Sequence, residues 1–311
     1  MASQDGQIAA NLERALPLVE QAASAGAQLI LLPELMPTGY ACNSEMWDGG
    51  EPYQGPTVQW LKKHAGRLGA YLGTSFLEAA GEDFFNTFVL VTPEGAEAGR
   101  VRKQTPAAFE AFITRGAPDH HIIDTTLGRI GVSICYENQL AYTPRLMVAQ
   151  GVDVMLMPHS APTPAPGPLF PQKEIVAYHT RLKGLTSFYA KLLGIPAVMA
   201  NKCGPWNSTI PGLAFLSRES SFPGLSSIAN SDGTLRSQLS DEEGVIIGDV
   251  TLDPARKVTT PPKRYGRWVG PVEKPVYLFP FIEMVGGLWY ALSRERKRRA
   301  LAISSHTPEP S

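Results

Sequence analysis

An α/β layered fold is what this sequence predicts, and three observations predict it. Short apolar runs such as Leu29-Ile30-Leu31-Leu32 and Val154–Met157 stop at a proline and read as buried strands. Stretches with apolar residues at helical spacing lie between them. Turns bearing Gly and Pro punctuate the whole. Strands alternating with helices argue for sheets covered by helices.

Taken in order, Asn11 reads as a helix N-cap ahead of Leu12, Ala15, Leu16, Val19 and Ala23, and Gly26 ends that run. Pro17 inside it predicts a kink or a shortened helix. The strand at Leu29–Leu32 follows. Ala70–Ser75 and Phe84–Val91 read as strands, and the turn Pro93-Glu94-Gly95 lets the second pair with what comes next. His121–Asp124 and Ile130–Ile134 are strands around Leu127-Gly128-Arg129, and Leu140–Gln150 is a helix closed by Gly151. After the Val154–Met157 strand, Pro162, Pro164, Pro166, Pro168 and Pro171 make 161–171 a loop. A long helix is expected from about Lys173 to Leu193, then a strand at Ala197–Ala200. Ser226–Ala229 and Val245–Asp249 read as two strands joined at Ser231-Asp232-Gly233. Composition shows no break before Pro254, so one domain is expected over 1–253. Residues 254–311, rich in Pro, Lys and Arg, read as an extended C-terminal tail.

The composition narrows the function. With 43% hydrophobic and 18% charged residues the chain is globular and can bury a sizeable core. Its 28 basic and 29 acidic residues leave a net charge of −1, so no basic field gathers nucleic acid. Cys42, Cys135 and Cys203 are too few and too scattered for a disulfide framework and fit a reducing compartment. The N-terminus has neither a basic start nor an apolar segment, so no secretory signal is expected and the expected location is cytoplasmic. His120-His121 lacks any zinc spacing with His159; no metal and no cofactor is expected.

Three residues at strand ends carry chemistry. Glu34 follows the Leu29–Leu32 strand, Lys103 follows a strand-like stretch ending near Val101, and Cys135 closes the Ile130–Ile134 strand. Carboxyl ends of parallel strands project into a common crevice, where α/β proteins place ligands. Thiolate attacks an amide or nitrile carbon well, but a free thiol has a pKa of roughly 8.5 and needs an activator. Glu34 could take that proton and pass it to the leaving nitrogen. Lys103 and the N–H of Tyr136 could stabilise the developing negative charge. Each residue alone also has a bland reading: a core cysteine, a charge at a helix start, a solvated lysine.

Leu-Leu-Pro-Glu-Leu at 31–35, Arg-Lys at 102–103 and Gly-Arg-Ile-Gly-Val-Ser-Ile-Cys-Tyr-Glu at 128–137 together resemble the nitrilase superfamily of carbon–nitrogen hydrolases. Asn11-Leu12, Gln150-Gly151-Val152-Asp153, Ala200-Asn201 and Phe222-Pro223-Gly224-Leu225-Ser226 add to a likeness spanning roughly 10–250. The resemblance implies a four-layer α-β-β-α sandwich, a Glu34–Lys103–Cys135 triad and, as second glutamate, Glu110. It implies a thioester-type acyl-enzyme, release of ammonia or an amine, and assembly into a homodimer or larger homo-oligomer. The implied substrate is a small amide, nitrile or carbamoyl compound, with Tyr40, Tyr136, Glu137, His159 and Ser160 as substrate-pocket candidates. The family opens with a strand before its first helix; here the helical pattern begins by Asn11, so that strand is expected to be missing and a sheet edge uncovered. Tyr136-Glu137 after the cysteine suits amidase-like members, where true nitrilases favour Trp-Glu.

Three alternatives complete the functional reading. A true nitrilase, an N-acyltransferase using the same triad and a non-catalytic assembly scaffold remain beside the amidase. The tail, with the apolar stretch Pro275–Leu292 followed by Arg294, Arg296, Lys297, Arg298 and Arg299, reads either as a subunit contact or as a weak membrane-surface contact.

Overall fold

The computed structural model describes residues 1–168, 170–210 and 213–305. The first helix α1 (Ile8–Ser24) runs unbroken through Pro17 and leads into strand β1 (Leu29–Leu31). Asn11 does not cap it. It lies inside the first turns, buried, with its side-chain amide donating to the carbonyls of Gln4 and Pro37. Helix α2 (Pro56–Leu68) and strands β2 (Tyr71–Ala80), β3 (Asp83–Val91) and β4 (Glu97–Arg102) follow. Strand β1 pairs parallel with β2, and β2, β3 and β4 continue antiparallel as a four-stranded sheet.

The second sheet begins with β5 (Ile122–Thr125), β6 (Gly128–Val132), helix α3 (Tyr142–Ala149) and β7 (Val154–His159). The expected long helix is two, α4 (Gln172–Lys183) and α5 (Leu185–Leu193), interrupted at Gly184, the least favourable helix residue after proline. Strand β8 (Ala197–Asn201) follows. A hairpin of β9 (Cys203–Ile210) and β10 (Leu213–Pro223) stands apart, and β11 (Ser227–Ala229) and β12 (Leu235–Gln238) complete the sheet. Its order is β12-β11-β8-β7-β6-β5, with β6, β7 and β8 mutually parallel. The turn at 231–233 therefore joins β11 to β12. Val245–Asp249, despite its apolar pattern, pairs with nothing and is not a strand.

The two sheets pack face to face. Phe88, Leu90 and Val101 of the first meet Ile123, Ile130 and Val132 of the second in one buried cluster. Helices α1 and α2 cover the outer face of the first sheet through Val19, Val58 and Leu61, and α5 covers the second through Tyr189 and Leu193. This is an α-β-β-α sandwich. Gly131 is fixed by that packing, since a Cβ there would stand 2.3 Å from the Met147 sulfur. The free edge of β1 faces an apolar cavity of about 350 Å³ lined by Leu29, Leu31, Val245 and Ile247 among others; among the described residues no strand precedes α1.

The segment expected as an extended tail is largely helical. Helices α6 (Phe279–Leu292) and α7 (Arg294–Ser304) fold back onto the sandwich. Buried Arg296 pairs with Asp83 at 2.8 Å and donates to the carbonyl of Glu82, and the Tyr290 hydroxyl accepts the Phe84 N–H at 2.8 Å.

Candidate active site

Strands β1 and β4 end on the same side of the first sheet, and β6, β7 and β8 run together in the second. Their ends deliver the candidate residues. Glu34 sits in the turn after β1, Lys103 directly after β4, and Cys135 opens a short 3-10 turn, Cys135–Gln139, after β6. Pro33 stops β1 and turns the chain inward.

Glu34, Lys103 and Glu110 form a buried ion cluster. The Lys103 ammonium donates to Glu34 Oε1 at 2.7 Å and to Glu110 Oε2 at 2.6 Å. Burial alone would push this ammonium down, but the two carboxylates and the Cys135 sulfur hold it well above its ordinary range. It is therefore a fixed positive charge. Glu110 belongs to the 3-10 turn Ala108–Phe112 and also accepts the Ala107 N–H at 3.0 Å.

A residue missed from the sequence completes the cluster. Asn86 Nδ2 donates to Glu34 Oε1 at 2.8 Å and to Glu110 Oε1 at 3.0 Å, one hydrogen to each acid. The signal was there: Asn86 is the polar member of a row on β3 whose alternate residues Phe84, Phe88 and Leu90 are buried and apolar. Its own carbonyl accepts the Lys103 N–H at 2.9 Å, which fixes the lysine's backbone to the same strand.

Cys135 stands against this cluster, 8% exposed and with φ of +54°. A non-glycine residue in that region is uncommon and strained. Asn138 holds it there, donating to the carbonyls of Ser133 at 3.1 Å and Cys135 at 3.0 Å. Burial pushes the thiol well above its ordinary value and Glu34 adds to this, while Lys103 and the Ser160 N–H pull the other way. The resting group is a neutral thiol, so attack requires a base. Glu34 is placed for that role. Its Oε2 accepts the Ser160 N–H at 2.7 Å, and the Ser160 hydroxyl donates to the Glu34 carbonyl at 2.6 Å.

The remaining candidates separate. Tyr40 lies at the cluster: burial and the charges of Cys42, Glu110, Glu34 and Cys135 all raise its hydroxyl. Its ring packs against Trp206 and Phe222. His159, at the end of β7, is neutral; burial pushes it down to about 4. Ser160 meets Glu34 rather than open space. Tyr136 turns away into a cluster with Trp268 and Phe279 from the C-terminal segment. Glu137, expected at the substrate, is spent inside the protein. Its Oε1 accepts from the Gln104 N–H at 2.8 Å and the Tyr142 hydroxyl at 2.7 Å, and its Oε2 from the Ile134 N–H at 2.9 Å. It thereby ties the turn bearing Cys135 to the loop bearing Lys103. Ser133 is buried beside them.

Lys202, next after β8, is a second buried ammonium the sequence did not single out. It donates to the Leu35 carbonyl at 2.9 Å, and burial pushes it down to about 8. Leu35 has a φ of +46°, so Lys202 braces the bend that follows Glu34.

A family model of carbon–nitrogen hydrolases matches residues 1–259. N-carbamoylputrescine amidase of Arabidopsis thaliana is 26% identical over 256 residues, covering 79% of this chain and 83% of that protein. A bifunctional nitrilase/nitrile hydratase of Nicotiana tabacum is 32% identical over 170 residues, covering 48% of this chain and 49% of its own. A carbon–nitrogen hydrolase from Helicobacter pylori G27 shares the fold with a TM-score of 0.72 at 21% identity, covering 81% and 87% of the two chains. So does a variant of the amidase from Nesterenkonia sp. AN1, with a TM-score of 0.66 at 21% identity and coverage of 81% and 91%. With one family model running from the first residue through both sheets, and that sandwich shared with solved members, the chain belongs to the carbon–nitrogen hydrolase family and is an enzyme of that class.

Proposed function

We propose that the enzyme hydrolyses small amides or carbamoyl compounds through a covalent Cys135 intermediate. The observation that carries this is the buried Glu34–Lys103–Glu110 cluster, bridged by Asn86 and set against a neutral thiol. Sγ attacks the carbonyl carbon while its proton passes to Glu34. Negative charge develops on the carbonyl oxygen. Lys103 and the N–H of Tyr136, which as a first-turn group has no acceptor within the 3-10 turn, are the donors that stabilise it. The C–N bond breaks as Glu34 returns the proton to nitrogen, and ammonia or an amine leaves. Water then attacks the thioester, gives its proton to Glu34, and the thiolate departs and is reprotonated.

Amide chemistry is favoured over nitrile chemistry on two grounds. The relatives matched over most of their length are N-carbamoylputrescine amidases, whereas the nitrilases match over about half of theirs. Tyr136, rather than a tryptophan, follows the cysteine. Ammonia release measured across matched amides, carbamoyl compounds and nitriles tests the reading. Amides or carbamoyl compounds are expected to turn over, and Cys135→Ala is expected to abolish turnover with the thermal transition retained. Faster turnover of a nitrile than of its matching amide would overturn the substrate class; activity in Cys135→Ala would overturn the mechanism.

A further inference from the structure

Helix α6 contains one charged residue, Glu283, in fourteen. One side of it packs on the 3-10 turn that holds Glu110; a Cβ at Gly286 would stand 2.7 Å from the Phe112 ring. The opposite side is largely uncovered by the described residues. Phe281, Met284, Leu288 and Leu292 recur at helical spacing and are 63%, 64%, 65% and 74% exposed. They form a single apolar stripe, about 17 Å long at 1.5 Å per residue. A stripe of this kind marks a contact with a partner or a membrane.

The charges around the stripe decide which. Arg294 and Arg298 are exposed, lie one turn apart on α7, and have no ion pair among the described residues; Lys274, ahead of α6, is likewise exposed and unpaired. The carboxylates of Glu273, Glu283 and Glu295 are engaged with Arg181, Arg267 and Arg299, and Glu174 accepts the Lys274 backbone N–H. A second copy laid on the same stripe would bring Arg294 and Arg298 of both copies together with no free acid on α6 or α7 to meet them. An anionic lipid surface supplies both an apolar interior and negative headgroups.

We propose that α6 and the start of α7 form a docking face for an anionic membrane surface, with the α6 stripe at the acyl boundary and Arg294 and Arg298 among the headgroups. The helix lies in the interface and does not cross it. The continuous helical stretch Lys274–Leu292, 19 residues, approaches the roughly 20 a span requires, but the side of α6 that carries Gly286 is held against Phe112 of the protein.

Sedimentation of the full chain with vesicles tests this, using pure phosphatidylcholine and phosphatidylcholine mixed with phosphatidylserine. The protein is expected to pellet with the mixed vesicles at low salt and to be released at high salt. The double variant Arg294→Glu/Arg298→Glu should bind at least about tenfold more weakly, from roughly 1 kcal/mol per cation. Leu288→Asp should lose binding as well, and both variants should keep turnover and the thermal transition. No pelleting with the mixed vesicles at low salt overturns the proposal. So does binding indifferent to both variants. A dimer in sedimentation equilibrium that Leu288→Asp dissociates, without vesicle binding, would assign the face to a second copy instead.

Discussion

Replacing Asn86 by alanine takes a single nitrogen from between two buried acids, and its effect can be worked from the geometry. Two hydrogen bonds to carboxylates are lost, at 2.8 and 3.0 Å. Bonds to charged groups contribute about 1.5–3 kcal/mol each, so the gross loss is about 3–6 kcal/mol. The space left by the amide is polar and can admit a water that restores one of them. The net cost is then about 2–4 kcal/mol. At about 2 °C per kcal/mol for a chain of this size, the thermal midpoint should fall by about 4–8 °C. Lys103 still grips both acids, so the fold survives. Glu34 loses part of its orientation, and misplacement of a catalytic group by an ångström costs about a hundredfold in rate. Turnover should fall by about ten- to a hundredfold with a smaller change in KM. Asn86→Asp should be worse on both counts, because it sets a third carboxylate around one ammonium. Thermal unfolding by circular dichroism and steady-state ammonia release are the assays. A midpoint within a degree of the parent in Asn86→Ala, or full activity in Asn86→Asp, would refute the bridging role.

Glu137→Gln should lower kcat by about tenfold with KM nearly unchanged, since an amide turns one of its accepting positions into a donor facing a donor, a loss of about 1.5–3 kcal/mol; a rise in KM alone would instead indicate direct substrate contact. His159 is depressed to about 4 from 6.5, so the unfolded chain takes up a proton between those values that the folded chain refuses. Stability should fall as pH drops through that window, by up to about 3 kcal/mol, and His159→Gln should show a shallower acid slope; an unchanged slope would count against the buried neutral imidazole. Lys202 is depressed to about 8 from 10.5, so the folded state sheds its proton first and stability should rise between pH 8 and 10.5. Urea titrations across that range should show the rise in the parent and its absence in Lys202→Met.

Much of the sandwich is legible in the sequence because its strands are local signals. The runs at 29–31, 84–91 and 154–157 are apolar, short and ended by Pro, Gly or a turn, and the structure puts strands there. Glu34 and Cys135 are legible because each closes such a run, and Lys103 because it follows the strand-like stretch ending near Val101. What fails is whatever needs a distant partner. Val245–Asp249 has a strand's composition and lies across a cavity from the free edge of β1, but it forms no ladder with that edge, and a strand without a ladder does not form. The tail's prolines and arginines suggest an extended chain, yet α7 is held by Arg296 against Asp83, a contact no local pattern encodes. Asn86 shows the same limit in the site. Its position on an apolar row is visible, but that it faces two acids at once depends on Glu34 and Glu110, which arrive from other elements.

The anchoring of Arg296 reaches further than the tail. Glu82, in the turn before β3, and Asp83 and Phe84 at its start bond the Arg296 guanidinium and the Tyr290 hydroxyl, and Asn86 lies just beyond them on the same strand. Helices α6 and α7 and the acid bridge are thus fastened to one short stretch of backbone. In hydrogen–deuterium exchange the amides of 84–86 should open together with those of 290–296 as one cooperative unit. Proteolytic trimming ahead of Arg296 should then speed exchange at β3 before it disturbs the opposite sheet.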